Sequence, residues 1–384
     1  MKILTIFSIL CFIPSLLVYW AGIRLLKKSG SEINPCSSKY SQFRRLSNWM
    51  LIISLFLLIL LAVPLLRIHF WISDHQIPPL LFFAVIGLFL YLTISTARYT
   101  VFKNCYNGND NWFVHLWKIS AEWIITLIPF LLYFSVILLI RNWSPSQKMF
   151  ALTYQWTPFL IILIWFFHYH FLPLFWKWSY QTSPLNDLKI RPMLDQVLQE
   201  NELILGDIHV IQLETDAPAN ALIKGLWPRL RIVFLSNVII EQFEPKEIKS
   251  IFLHEVGHLK KHHVEKQYGV LLVFQFSLGL MSWIFGNRLN IEFQNLLFVD
   301  GLPFIVLFFD HWIVKNKLGC RQEKEADQFV VVTAPNPSDF ITALKKIHTM
   351  NYQLENWKGS SHPDWDSRMR SIQKLIKMKD KGIT

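Results

Sequence analysis

The sequence predicts an α-helical integral membrane protein, with about seven transmembrane helices and one small α+β domain facing water. Three observations carry that expectation. Hydrophobic residues make up 52% of the 384 and charged residues only 17%, whereas a soluble globular chain carries about a quarter charged residues. Seven apolar runs approach the ~20 residues that a helix needs to cross a bilayer. The stretch 177–268, by contrast, is polar enough to fold in water.

The runs extend from Ile3 to Ile23, Trp49 to Leu66, Pro78 to Ser95, Trp123 to Ile140, Trp156 to Trp176, Val270 to Ile284 and Leu297 to Val314. The first is followed by Arg24, Lys27 and Lys28 and not by a small-residue cleavage site, so it reads as a retained helix and not a cleaved signal. Lys and Arg then orient the bundle. The first loop carries Arg24, Lys27, Lys28, Lys39, Arg44 and Arg45, and the third Arg98, Lys103 and Lys118, whereas the second, fourth and sixth hold only Arg67, then Arg141 and Lys148, then Arg288. Basic loops stay in the cytoplasm, which puts the N-terminus outside and both the 177–268 stretch and the C-terminal tail inside.

The net charge of +11 is explained by those loops. Basic residues beside apolar runs meet anionic headgroups, whereas nucleic-acid binding would need a basic face on a folded soluble domain, so the sequence predicts a lipid bilayer as partner and no nucleic acid. Cys11, Cys36, Cys105 and Cys320 are scattered and read as packing thiols. No internal repeat or low-complexity tract is visible, and oligomeric state leaves no trace in the sequence.

Inside the polar stretch, helical spacing runs from Leu188 to Leu203, and apolar runs at Ile208 to Leu213 and Ile232 to Ile240 read as strands. A helix follows. Pro245 suits its first turn beside Glu244 and Glu247, and Ile248, Ile251, Phe252 and Val256 recur at helical spacing. Beyond the seventh run, Leu318 to Val331 reads as helix, Pro335 and Pro337 stop it, and two amphipathic stretches follow at Phe340 to His348 and Arg368 to Met378. The expected organisation is a five-span bundle over 1–176, a domain over 177–268, two further spans over 269–314, and a second part of the domain over 315–384.

The helix after Pro245 contains His254-Glu255-Val256-Gly257-His258. Residues four apart share a helical face, so both imidazoles can grip one Zn2+ ion while Glu255 projects beside it. A catalytic zinc takes three protein ligands and keeps a fourth position for a water, whose pKa it lowers towards neutrality. Glu255 suits the base that accepts the water's proton and passes it to the leaving amine. Three further elements supply context. Glu323 and Asp327 lie one helical turn apart in Arg321-Gln-Glu-Lys-Glu-Ala-Asp327, which reads either as a third ligand with a supporting carboxylate or as a solvated helix face. Asn220-Ala221-Leu-Ile-Lys-Gly225 leads towards an apolar strand, and a sheet edge near the metal can bind an extended peptide by strand addition. His362-Pro363-Asp-Trp-Asp-Ser-Arg368 follows a Gly-Ser-Ser linker.

The order Asn-Ala-x-x-x-Gly, His-Glu-x-Gly-His, Glu-x-x-Ala-Asp and His-Pro-x-x-x-x-Arg resembles the membrane gluzincins that include the type I CAAX prenyl proteases and the HtpX-type proteases. The prenyl-protease branch is the closer match, through His258-Leu-Lys260-Lys-His-His263 and through two spans separating the His helix from Glu323. The resemblance covers the layout of nearly the whole chain and residue identity from Asn220 to Arg368. It implies a zincin-like metallopeptidase domain, zinc ligands His254, His258 and Glu323, and Glu255 as general base and acid. It further implies Asp327 orienting a ligand histidine, Asn220 and Ala221 beside a polypeptide substrate, and catalytic support from His362 and Arg368, His362 donating to the oxyanion. Gly319, Cys320 and Lys324 depart from the family's usual residues around the ligand glutamate, which leaves the zinc set intact but unsettles local packing and substrate preference.

Other polar residues have blander readings. His262 and His263 read as polar groups behind the metal and not as ligands. His168 and His170 near the end of the fifth run, and Asp310 and His311 in the seventh, suit either a chamber lining or groups reaching the interface. Trp71, Trp123, Trp143 and Trp176 suit an interfacial belt. Glu325 points about 200° round the helix from Glu323 and reads as solvent-facing. The function so predicted is a membrane zinc metalloendopeptidase cutting membrane-associated or unfolded polypeptides, with CAAX-type processing implied by resemblance alone. Its rivals are a signal transducer cleaving one dedicated regulator, and a seven-span transporter or receptor with a decayed metal site.

Overall fold

The computed structural model describes residues 16–24, 91–101, 153–180, 182–212, 219–285, 302–350 and 365–382 as continuous stretches, with scattered positions elsewhere. The first four apolar runs fall largely outside the described residues, as do His362 and Pro363. The chain divides into two compact units, 1–120 and 121–384. In the first, residues 91–101 are helical, and Arg98 Nε donates to Ser47 Oγ at 2.6 Å.

In the second unit, after helical positions between 125 and 137, helix α1, Thr153–Tyr180, carries the fifth apolar run. Phe159, Leu163, Phe167, Phe171, Leu174 and Trp178 are exposed at helical spacing, opposite the buried Ile161, Ile164 and Trp165. An apolar stripe of that length is costly in water and is the surface that a lipid-facing helix presents. Helix α5, His263–Phe285, runs back along α1: Tyr268 meets Tyr169 with ring centroids 5.4 Å apart, and Gly279 lies against Pro158. Among the described residues two helical stretches are long and apolar enough to cross a membrane, Thr157–Tyr180 and Pro245–Phe285, the apolar part of the latter being α5. The seventh run forms helix α6, Leu302–Phe309, which passes through a π-helical segment, Asp310–Leu318, into α7, Gly319–Thr333. Backbone angles stay helical at both junctions. A single rod therefore leads from the bundle into the polar domain.

That domain holds strands β1 Ser183–Pro184, β2 Asp207–Ile211, β3 Ala221–Lys224 and β4 Ile232–Ser236, in the order β1-β2-β4-β3. β2 and β4 pair in parallel, and β3 runs antiparallel to β4 with Ala221 opposite Leu235 and Lys224 opposite Ile232. β3 is thus an edge strand. The turn after it needs Gly225, whose φ is +108° and whose position would put a Cβ 2.9 Å from both Arg231 Cα and Pro173 Cγ. The predicted strand from Ile232 to Ile240 is corrected here. Its ladder ends at Ser236, opposite Ile211 and bonded to Asn220 O, and with no partner strand left the chain turns into a short helix α3, Asn237–Gln242.

Helix α2 is Ile190–Glu200, α4 is Pro245–Lys260, α8 is Pro337–Met350 and α9 is Trp365–Asp380. Pro245 occupies the first turn of α4 as predicted, and Glu247 Oε2 accepts the Glu244 N–H at 2.8 Å. One core joins these pieces: Leu194 and Val197 of α2, Val233 and Leu235 of β4, Phe252 and Val256 of α4, Val330 of α7, Phe340 of α8 and Ile372 of α9. Residues on either side of the two apolar helices therefore fold as one domain. Burying a side chain such as Phe252 contributes about 1.5–3 kcal/mol, which makes the core the main force holding α4 against α7.

Candidate metal centre

Helix α4 carries His254 and His258 on one face, with Nε2 atoms 3.2 Å apart. Helix α7 crosses that face closely because Gly257 has no side chain. A Cβ there would lie 3.2 Å from Ala326 Cα and from Phe329 Cβ. This approach brings Glu323 Oε2 to 3.5 Å from His254 Nε2, and Glu323 Oε1 to 3.5 Å from His258 Nε2. The three residues each offer a ligand atom within 4.8 Å of the others, so they could hold a metal ion. Donors about 2.0–2.1 Å from a tetrahedral zinc are separated from one another by roughly 3.4 Å, and the observed spacings match. Two imidazoles and one carboxylate are also the donor set of a catalytic zinc that keeps a position open.

Each ligand candidate is held from behind. His254 Nδ1 lies 3.1 Å from Asp327 Oδ1. Arg368 grips Asp327 with a two-pronged bond, Nε to Oδ2 at 2.8 Å and Nη2 to Oδ1 at 2.7 Å. Its Nη2 also lies 3.5 Å from Glu323 Oε2. Burial raises the Asp327 pKa, but Arg368 and His254 outweigh it and hold the carboxyl below its usual value. Burial opposes charge on His254, yet Asp327 and Glu323 push that imidazole up to about 10. Burial and then the neighbouring His254 drive His258 down to about 3. The Glu323 and Asp327 carboxylates thus favour positive charge in the pocket, which a bound cation would supply.

Several sequence expectations meet here. Glu255 is buried on α4 and lies close enough to Arg368 to help raise the guanidinium pKa. Arg368 reaches the centre, and its fork is spent on Asp327. Asn220 anchors the start of β3, its N–H donating to Ser236 Oγ at 3.1 Å, and β3 with Ala221 packs beside α4. His362 lies outside the described residues. His263, read as a polar group behind the metal, contacts His258.

Glu325 keeps part of its surface in solvent, as read from the helical angle, but it also has a partner that the sequence did not show: its Oε2 lies 3.1 Å from His263 Nε2, and Arg321 Nε donates to its Oε1 at 2.9 Å. The ideal helical angle still holds, but the chain breaks after α4 and brings a new partner to that side of α7. Trp176 stacks on Tyr180 and meets Phe234 of β4 at a tilted angle, so part of its ring packs against the sheet. His168 and His170 are buried on α1, and Asp310 Oδ1 accepts a bond from Tyr169 Oη at 3.1 Å. Two further links escaped sequence reasoning. Buried Arg231 donates to Gly225 O, Leu226 O and Glu265 Oε1, tying the turn after β3 to the start of α5. Gln322 joins Gln267 and the His263 carbonyl, tying α7 to the same turn.

The profile of Peptidase family M48 matches residues 184–376, half of the chain. A protein described as a Protease HtpX homolog from Dictyoglomus thermophilum is 23% identical over 191 residues, covering 43% of this chain and 63% of that relative's length. The crystal structure of S. mikatae Ste24p superimposes with a TM-score of 0.59 at 13% identity, over 96% of this chain and 98% of that one, a likeness of fold. The chain belongs to Peptidase family M48 and has the fold of Ste24p.

Proposed function

We propose that the chain is a zinc-dependent endopeptidase whose active site sits at the cytoplasmic face of a seven-span bundle, with the N-terminus extracytoplasmic. His254, His258 and Glu323 hold the metal, and their convergence from α4 and α7 at coordination spacing is the observation that carries the reading. A zinc ion bound there supplies Lewis acidity to a water and to a peptide carbonyl. Glu255 takes the water's proton and delivers it to the leaving nitrogen. Asp327, fixed by Arg368, orients His254. The Asn220–Ala221 end of β3 binds substrate as an added strand, which fixes an extended backbone without demanding a particular sequence. His362 supports the oxyanion, a role resting on resemblance.

The substrates that fit are extended or unfolded segments of membrane-associated polypeptides, and C-terminal CAAX-type processing is included on the strength of the family resemblance. The lipid-facing stripe of α1 and the spacing of basic loops support the membrane arrangement. The test is Glu255→Gln in purified protein. Cleavage of an unfolded polypeptide is expected to vanish while about one zinc per chain stays bound. Full activity in that variant would remove Glu255 from the mechanism.

A further inference from the structure

The two candidate ligand imidazoles are backed in different ways. His254 faces a carboxylate directly, Asp327 at 3.1 Å. His258 Nδ1 faces another imidazole, His263 Nδ1, at 2.9 Å, and His263 Nε2 in turn faces Glu325 Oε2 at 3.1 Å. His263 is nearly inaccessible, with 2% of its side chain exposed. Glu325 is itself steadied by Arg321 Nε at 2.9 Å.

This contact is not a by-product of helical spacing. On an unbroken helix, residue 263 would lie about 140° round from residue 258 and face elsewhere. The chain instead passes through His262 at φ +52°, one of two non-glycine residues with positive φ among the described residues. That left-handed step ends α4, starts α5 and swings His263 back onto His258. The Gln322 side chain then accepts from Gln267 and donates to the His263 carbonyl, holding the turn against α7.

The protons of the chain can be placed from the network. His258 Nε2 lies beside His254 Nε2 and Glu323 Oε1, so as a ligand it must present a lone pair and carry its proton on Nδ1. His263 Nδ1 then has to accept, which leaves the His263 proton on Nε2, directed at the Glu325 carboxylate. One arrangement of neutral rings satisfies all three groups.

We propose that His263 and Glu325 are positioning residues that lock His258 in the Nε2-ligating tautomer and strengthen its hold on the metal. This inference rests on His254, His258 and Glu323 being the metal ligands. Interposing an imidazole sets the supporting carboxylate one ring further back than Asp327, on the side of the site that meets the first turn of α5. The grip on His258 therefore depends on the junction between the polar domain and a membrane-crossing helix.

The test is zinc affinity of the full-length protein in detergent, measured by competition with a chromophoric chelator, together with the visible spectrum of the Co2+ form. His263→Phe fills the space but accepts no hydrogen bond; His263→Asn offers an amide oxygen near the position of Nδ1; Glu325→Gln removes the carboxylate charge. Loss of an outer partner of this kind weakens metal binding about 10–100-fold, and that is the expected result for His263→Phe, with a shifted Co2+ band. His263→Asn should recover most of the loss, and Glu325→Gln should weaken zinc binding at least ~3-fold, as loss of the end of the chain requires. Zinc affinity within about twofold of wild type in both His263→Phe and Glu325→Gln would overturn the proposal, as would equal losses in His263→Phe and His263→Asn. If His263→Phe fails to fold, Glu325→Gln decides alone. A wild-type protein that binds no zinc would instead overturn the ligand assignment itself.

Discussion

Replacing Arg368 with methionine should destabilise the polar domain severely, and the magnitude follows from what the guanidinium holds. Asp327 is 3% exposed at its side chain and Arg368 13%, and the two share bonds of 2.7 and 2.8 Å. Methionine keeps much of the volume but leaves Asp327 ionised in a dry site with only His254 nearby. Removing one partner of a buried pair costs about 3–5 kcal/mol, a large share of the ~5–15 kcal/mol that holds a typical domain together. Asp327→Leu strands the guanidinium and should cost a similar amount. The double variant removes both charges, so its loss should fall short of the sum of the single losses by about 2–3 kcal/mol. Chemical unfolding of the three variants in detergent measures this cycle. The sign with pH is fixed as well: the Asp327 pKa is lowered by folding, so its contribution is whole above the ordinary carboxyl value of about 3.9 and is lost as pH falls through the lower folded value. The Arg368→Met deficit should accordingly shrink in acid. A deficit under about 1 kcal/mol at neutral pH, or strictly additive losses, would refute the view that this pair braces the metal centre.

Three further outcomes are expected. Gly257→Ala places a methyl against the α7 backbone at Ala326, so it should cost about 1–3 kcal/mol in unfolding experiments and weaken zinc binding by prising Glu323 from the histidines. Arg231→Met removes the three bonds that tether the turn after β3 to Glu265, and limited proteolysis should cut within 225–230 faster than in wild type. His209 is buried in the sheet, and burial lowers its pKa; its contribution to stability is therefore whole above about pH 6.5 and lost as pH falls through the folded value. A His209→Gln variant should show a flatter stability profile over that range.

How far these features could be read beforehand depended on their periodicity. Helix α4 was legible to its first turn, because Pro245, Glu247 and the spacing from Ile248 to Val256 all state the same element. His254 and His258 were legible for the same reason, being fixed to each other by one helical turn. For Glu323 the residues alone left a ligand and a solvated helix face both open, since its distance from His254 is set by the packing of α4 on α7 at Gly257, a contact without local signature. The end of β4 at Ser236 was not legible: Val238, Ile239 and Ile240 continue an apolar run, and what stops the strand is the length of its neighbours. The partly exposed face of Glu325 was legible on α7 alone, but its His263 partner was not, because that residue arrives from α5 through the left-handed turn at His262. Arg231 gave no signal beyond its place before a strand, yet it ties the candidate substrate edge to a helix long and apolar enough to cross a membrane.

The central claim is that this family M48 chain builds a catalytic zinc centre from α4 and α7. X-ray absorption at the zinc edge of the purified full-length protein tests it most directly. The structure leads to about one zinc per chain, with two imidazole nitrogens and oxygen donors at ~2.0–2.2 Å and no sulfur. A shell containing sulfur at about 2.3 Å, or one with no imidazole scattering, would contradict it.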